Sequence, residues 1–156
     1  MTIAPTVERF LRERNVKYDL IEHPPSGSTH ESALSAHVPE DHIAKAVMVK
    51  DGRGDAMVLV PGDSWLQLDA LNKETGRDFG LDPESSLAQL LPDCAEGAVP
   101  PLGPAYGLET YLDEALTTLA NVYLEAGDHR HLVLLNGSDF VELLGGVRRG
   151  RFGRRD

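Results

Sequence analysis

The chain has 156 residues and 41% hydrophobic content, enough for one domain with a real core. A formal net charge of −10 argues against a general nucleic-acid-coating protein, and no apolar run nears the roughly 18 residues of a membrane span. The single cysteine, Cys94, excludes an internal disulfide or a cysteine-rich metal site. MTIAPTVERFLRERN lacks the apolar stretch of a secretory leader, so a cytoplasmic protein is expected.

Val7, Phe10 and Leu11 follow i, i+3, i+4 spacing, which predicts an amphipathic helix over 5–14. Val16, Tyr18 and Leu20 alternate with polar residues and predict a strand running to the break at His23-Pro24-Pro25. Ser28 and Glu31 have capping-box spacing and open a short helix that stops before Pro39. HIAKAVMVK (42–50) reads as a strand, DGRGD as a turn and AMVLV (56–60) as the hairpin partner, closed by Pro61-Gly62.

A helical pattern follows around Asp69–Thr75. Asp82-Pro83 reads as an N-cap and first turn for a helix carrying Leu87, Leu90 and Leu91, stopped by Pro92. After a Gly/Pro-rich loop, LETYL (108–112), VYLEA (122–126) and HLVLL (131–135) read as strands. Ser138 is the expected cap of a last helix through Leu144, ended by Gly145-Gly146. Strands and helices mix without a βαβ rhythm. The expected fold is therefore a single α+β domain over 1–146, with a mixed, largely antiparallel, barrel-like sheet surrounded by helices.

The last ten residues, VRRGRFGRRD, hold five arginines and one acid. Without them the 15 basic and 25 acidic residues of the chain fall to 10 and 24, leaving the body near −14. Residues 147–156 are expected to be a disordered, solubilising tail; the competing expectation is a basic arm that contacts phosphates.

Two features stand out chemically. Lys45 is the only charge in Ile43–Val49, a strand apolar on both faces, and by period two it shares a face with Val47 and Val49. A lysine there either snorkels to the sheet edge or anchors an anion. The second feature is GAVPPLGPAYG, residues 97–107, with three glycines and three prolines. Backbone N–H groups at Gly97 and Gly103 could hold a carbonyl or developing oxyanion, with Pro100, Pro101 and Pro104 keeping them from relaxing. The alternative is an ordinary stiff crossover.

His129 and His131 can be drawn with Glu125 and Asp128 as a metal site, both histidines on one strand face. No third ligand has diagnostic spacing, and no metal is expected. His23, His30, His37 and His42 fall at element ends, where solvated or capping histidines are common. Cys94 reads as packing rather than as a nucleophile. G-x-S-x-G, Walker and Rossmann signatures are absent from the sequence.

The strand lysine of IAKAVMVK, followed about fifty residues later by Gly97-Ala98-Val99-Pro100-Pro101 and Leu102-Gly103, resembles the YbaK / prolyl-tRNA synthetase editing-domain family of aminoacyl-tRNA deacylases. The likeness spans residues 5 to about 145, including HVPEDHIAKAV, PDCAEGAVPPLG and VYLEAGDHRHLVLL, and excludes the Arg-rich tail. It implies a free-standing, trans-acting hydrolase of mischarged aminoacyl-tRNA, taking small amino acids such as Ala, Cys or Ser on proline tRNA. By this likeness Lys45 holds phosphate at the terminal nucleotide, and Gly97 and Pro101 position the scissile ester. Ala98, Val99, Pro100, Gly103 and His129 join them around the substrate.

No cofactor is implied, and neither membrane nor DNA is a partner. The 3′ end of aminoacyl-tRNA is the substrate, and a synthetase or elongation factor is a transient partner. A non-catalytic nucleotide- or aminoacyl-binding module, or a hydrolase of another small aminoacyl ester, are the competing functions on the same fold.

Overall fold

Residues 3–83 and 87–155 are described by a computed structural model. Helix α1 (Pro5–Glu13) begins on a proline, where a missing N–H costs nothing, and buries Val7, Phe10 and Leu11. Strand β1 (Asp19–Glu22) starts later than the alternation from Val16 predicts. The Ser28 cap forms as read, with the reciprocal bond displaced by one residue. Ser28 Oγ accepts from Glu31 N to open α2 (Thr29–Ala36), and the Glu31 carboxylate takes Gly27 N. Strands β2 (Ala44–Asp51) and β3 (Gly54–Pro61) form the expected hairpin, pairing Lys45 with Val60 and Val47 with Val58.

A short strand β4 (Ser64–Leu66) then leads into α3 (Leu68–Thr75) and β5 (Gly80–Leu81). Helix α4 is described over Leu87–Leu90; residues 84–86, between it and the proposed Asp82-Pro83 cap, lie outside the described residues. Strands β6 (Glu109–Asp113), β7 (Asn121–Glu125) and β8 (His131–Asn136) follow as expected. Helix α5 (Gly137–Leu143) is capped by Asn136, whose side chain accepts from Ser138 N, not by Ser138. Asparagine ranks with serine as a cap, and it stands at the position where the extended strand actually ends.

The described residues form three sheets, so the α+β class holds, but the barrel-like closure does not. The largest has the order β5-β2-β3-β6-β9, where β9 is Arg148–Gly150; its β3/β6 and β6/β9 pairs are parallel. The second, β1-β8-β7, is antiparallel. The third is a two-stranded ribbon of β4 with β10 (Gly153–Arg155). One face of the large sheet packs Met48, Met57, Leu59 and Leu112 against α1, α5 and the second sheet. Its other face packs Val49, Val58, Val60 and Tyr111 against Leu71 of α3. Among the described residues, no helix is long and apolar enough to cross a membrane.

Residues 147–155 are not the expected disordered tail. Phe152 is 1% exposed in the second core, edge-on to Tyr111 with ring centroids 6.1 Å apart. Burying one such ring stabilises by about 1.5–3 kcal/mol, and the pairing of Arg148–Gly150 with β6 and of Gly153–Arg155 with β4 adds to it. The buried Asp113 carboxylate secures it further: Oδ2 accepts from Phe152 N at 2.9 Å and Gly153 N at 2.7 Å, while Oδ1 accepts from Ala115 N at 2.8 Å. The fold thus runs through Arg155, past the boundary at 146.

Asp113→Ala should cost about 3 kcal/mol in urea unfolding, because hydrogen bonds to a charged acceptor are worth about 1.5–3 kcal/mol and buried donors would be orphaned. A loss under about 1 kcal/mol would show that Phe152 alone holds the segment.

Candidate active site

The parallel bridge between Ile43 and Tyr123 joins the start of β2 to β7. From there both chains run in one direction, carrying Lys45 toward the level of Glu125. The turn beyond β7 in turn grips the Gly/Pro loop. Ala95 N donates to Gly127 O at 2.8 Å, and His129 Nε2 contacts Glu96 O at 2.5 Å. These links bring Lys45 and Gly97 to one cleft of about 70 Å³, which Ala44, Ala46, Val99, Glu125 and Leu132 help to line. A water needs roughly 10–15 Å³ of such space, so the cleft has room for a few waters or a small acyl group.

Lys45 Nζ donates to Ser64 O at 2.6 Å and lies 5.1 Å from the centroid of the Trp65 ring. Partial burial holds its pKa below the usual lysine range, while Glu40 and Asp63 pull it back up. A second cavity, of about 420 Å³, opens on the far side of Lys45 and is bordered by Thr29, Glu40, Asp63 and Trp65. Lys45 thus stands between a small cleft and a larger one. It reaches the sheet edge, yet its ammonium remains at a site wall.

The Gly97 backbone is in the left-handed region, φ +77°, where a side chain is strained. A carbonyl can only accept, so His129 Nε2 must carry the proton it gives to Glu96 O. In a trans peptide the N–H opposes the C=O, so the Gly97 N–H is turned away from the imidazole. Among the described residues, neither Gly97 N nor Val99 N has a hydrogen-bond partner. The Glu125 carboxylate fixes the gripping turn by accepting from Gly127 N at 2.8 Å, with Asp128 N and His129 N each at 3.3 Å.

Of the residues expected at the site, Lys45, Gly97, Val99 and His129 line the cleft. Ala98, Pro100, Pro101 and Gly103 are buried behind it. Gly103 is glycine for packing, since a Cβ there would sit 2.0 Å from Thr110 Oγ1. His129 and His131 do not share a strand face: His129 sits in the turn at φ +62°, and His131 opens β8 with Nδ1 on Asp128 Oδ2 at 2.7 Å. Among the described residues, no three ligating side chains converge on a metal position.

Burial pushes the Cys94 thiol up to about 12, with the Asp93 charge adding to the effect. It is therefore no thiolate nucleophile near neutral pH. Sequence reasoning missed Ser28, Thr29, Ser32 and Leu132, which reach the cleft only through tertiary packing. Glu125 had a signal in its spacing to Gly127-Asp128-His129, but that signal was read toward a metal.

The cleft thus has a cation on one wall and a backbone loop on the other, without a nucleophilic triad among the described residues. The model of the aminoacyl-tRNA editing domain matches residues 23–143, and the chain belongs to that family. The matched span includes Lys45, the whole Gly/Pro loop and His129.

Among solved structures, the chain is similar to the hypothetical protein APE2540, with 24% identity and a TM-score of 0.83 over 96% of this chain and 99% of that one. It is also similar to a candidate trans-editing enzyme for prolyl tRNA synthetase, with 25% identity and a TM-score of 0.80 over 97% and 96% of the two chains. No functionally curated protein matches the sequence.

Proposed function

We propose that this protein is a trans-editing hydrolase that removes small amino acids, Ala, Cys or Ser, from mischarged proline tRNA in the cytoplasm. The convergence of Lys45 and Gly97 on one cleft carries the proposal, because local sequence does not impose it. Lys45 holds phosphate of the terminal nucleotide by a charge-assisted contact. The free N–H groups of Gly97 and Val99 take the carbonyl oxygen as negative charge develops on it.

Water adds to the acyl carbon, and the tetrahedral intermediate collapses by breaking the bond to the ribose oxygen. That oxygen leaves with a proton as a ribose hydroxyl, and the amino acid leaves as its carboxylate. An aminoacyl ester is already activated, so positioning and oxyanion stabilisation suffice, with the neighbouring ribose hydroxyl of the substrate to relay the proton. Pro100 and Pro101 act from behind, stiffening the backbone that presents Val99 to the cleft.

Rigid walls of Val99, Ala44 and Ala46 set a size limit. Prolyl carries two more side-chain carbons than alanyl, and each methylene is worth about 1–3 kcal/mol of discrimination. Prolyl-tRNA should therefore be hydrolysed roughly a hundredfold more slowly than alanyl-tRNA. Pre-charged Ala-, Cys-, Ser- and Pro-tRNA incubated with the protein test this by ester loss over the uncatalysed rate, with alanine expected before cysteine or serine. Equal cleavage of prolyl- and alanyl-tRNA removes the steric wall. Binding of all four without turnover replaces the enzyme with a binding module.

A further inference from the structure

The ribbon of β4 and β10 has no part in the cleft chemistry, yet it stands at the mouth of the larger cavity. Trp65, the single tryptophan of the chain, is 61% exposed there despite its large apolar surface. One part of its indole is turned to the Lys45 ammonium, 5.1 Å from the ring centroid. Directly opposite Trp65 on β10 is Arg154. Residues facing each other across an antiparallel pair put their side chains on the same side, within reach of each other.

Charge on this surface is arranged by the C-terminal strand. Arg155 engages Asp63 Oδ2 at 2.8 Å and Asp41 Oδ2 at 3.7 Å, offsetting one acid beside Lys45 and a second next to Glu40. His30 Nδ1 meets Glu40 Oε1 at 2.8 Å, occupying a third. Among the described residues, Arg154 has no such acid partner, so its guanidinium is uncommitted. On a body that is otherwise strongly acidic, Lys45, Trp65 and Arg154 form a short basic row with an aromatic plate at its centre. Alternating cations and exposed rings suit a single nucleic-acid strand, because every base has a face to stack and every nucleotide a phosphate to neutralise.

We infer that the β4–β10 ribbon is the platform for the single-stranded 3′ end of the RNA substrate: Trp65 stacks on an unpaired base and Arg154 contacts the backbone phosphate beside it. Lys45 then joins platform and cleft, one strand running from the ribbon to the ester. This rests on the editing activity proposed above, and it makes Trp65 and Arg154 positioning residues rather than catalytic ones.

The test uses the full chain with two probes: uncharged tRNA, and a 5′-fluorescein-labelled RNA hexanucleotide ending in CCA. Because Trp65 is the only tryptophan, its own emission reports stacking, and it is expected to be quenched as either RNA binds. Trp65→Ala should weaken hexanucleotide binding, read by fluorescein anisotropy, roughly 5- to 150-fold, and raise KM for alanyl-tRNA with little change in kcat. Trp65→Phe should recover most of the loss. Arg154→Gln should lower the slope of log affinity against log salt by about 0.7, the value for one single-strand phosphate contact.

Bound RNA that leaves the emission unchanged, or a Trp65→Ala protein with wild-type KM, overturns the platform. Hydrolysis without quenching removes the platform and leaves the editing function standing. Quenching without hydrolysis of any aminoacyl-tRNA does the reverse.

Discussion

Lys45→Ala is expected to lower kcat/KM for alanyl-tRNA roughly ten- to a hundredfold while leaving the fold intact. A charge-assisted phosphate contact is worth about 1.5–3 kcal/mol, which converts to that range. Its structural partner is the Ser64 carbonyl, and a single neutral-acceptor hydrogen bond contributes about 1 kcal/mol net. Against that loss stands the relief of a half-buried ammonium, so the melting temperature should move by no more than about 4 °C. Lys45→Arg keeps the charge but not the compact head, and should recover only part of the activity. Steady-state kinetics and a thermal melt on the same preparations decide the matter. A Lys45→Ala protein that unfolds, or one that keeps full activity, shows the lysine to be a structural brace between β2 and β4.

Gly97→Val should be more damaging to catalysis, lowering kcat/KM by more than about a hundredfold. A Cβ at φ +77° costs about 1–2 kcal/mol of backbone strain, and a β-branched side chain more. The first added carbon is not itself in collision, lying 3.7 Å from the nearest His129 ring atoms. The loop can therefore stay in place at the cost of strain, with the valine methyls at the wall of a cleft of about 70 Å³. Gly97→Ala should show the strain with less of the obstruction, losing about 1–2 kcal/mol of stability and a smaller share of activity. Urea unfolding of both variants beside their kinetics separates the two effects. Full activity in Gly97→Val would remove the loop backbone from the reaction.

Much of this was legible because local rules and the fold agree. The Ser28–Glu31 spacing, the Val7–Phe10–Leu11 spacing of α1 and the DGRGD hairpin turn each predict an element from its own residues, and each element forms. Lys45 was conspicuous as a lone charge between apolar neighbours, and Gly97 as part of a loop with more backbone devices than a connector needs.

The failures have a common cause in distance along the chain. Strand β4 is three residues long, too short for periodicity, and exists because β10 pairs with it from almost ninety residues away. The Arg-rich segment read as solvated because five like charges dominate it; the decisive residue is Phe152, whose burial depends on Asp113 and Tyr111 in β6. Trp65 carried no pattern at all until β10 set a cation opposite it. The same holds for Gly103, a loop device in sequence and a close contact with Thr110 in space.

The grip of His129 on the Gly/Pro loop settles which way the Glu96–Gly97 peptide faces. The bond to the Glu96 carbonyl uses Nε2–H, while Nδ1 is turned to Glu125 Oε1 at 4.0 Å, so one imidazole ties the loop to the carboxylate that organises the turn. The peptide plane cannot rotate without breaking that bond, and the Gly97 N–H, on the opposite edge of the same plane, is held in one direction before any ligand arrives. The histidine works as a latch that aims a neighbour's backbone.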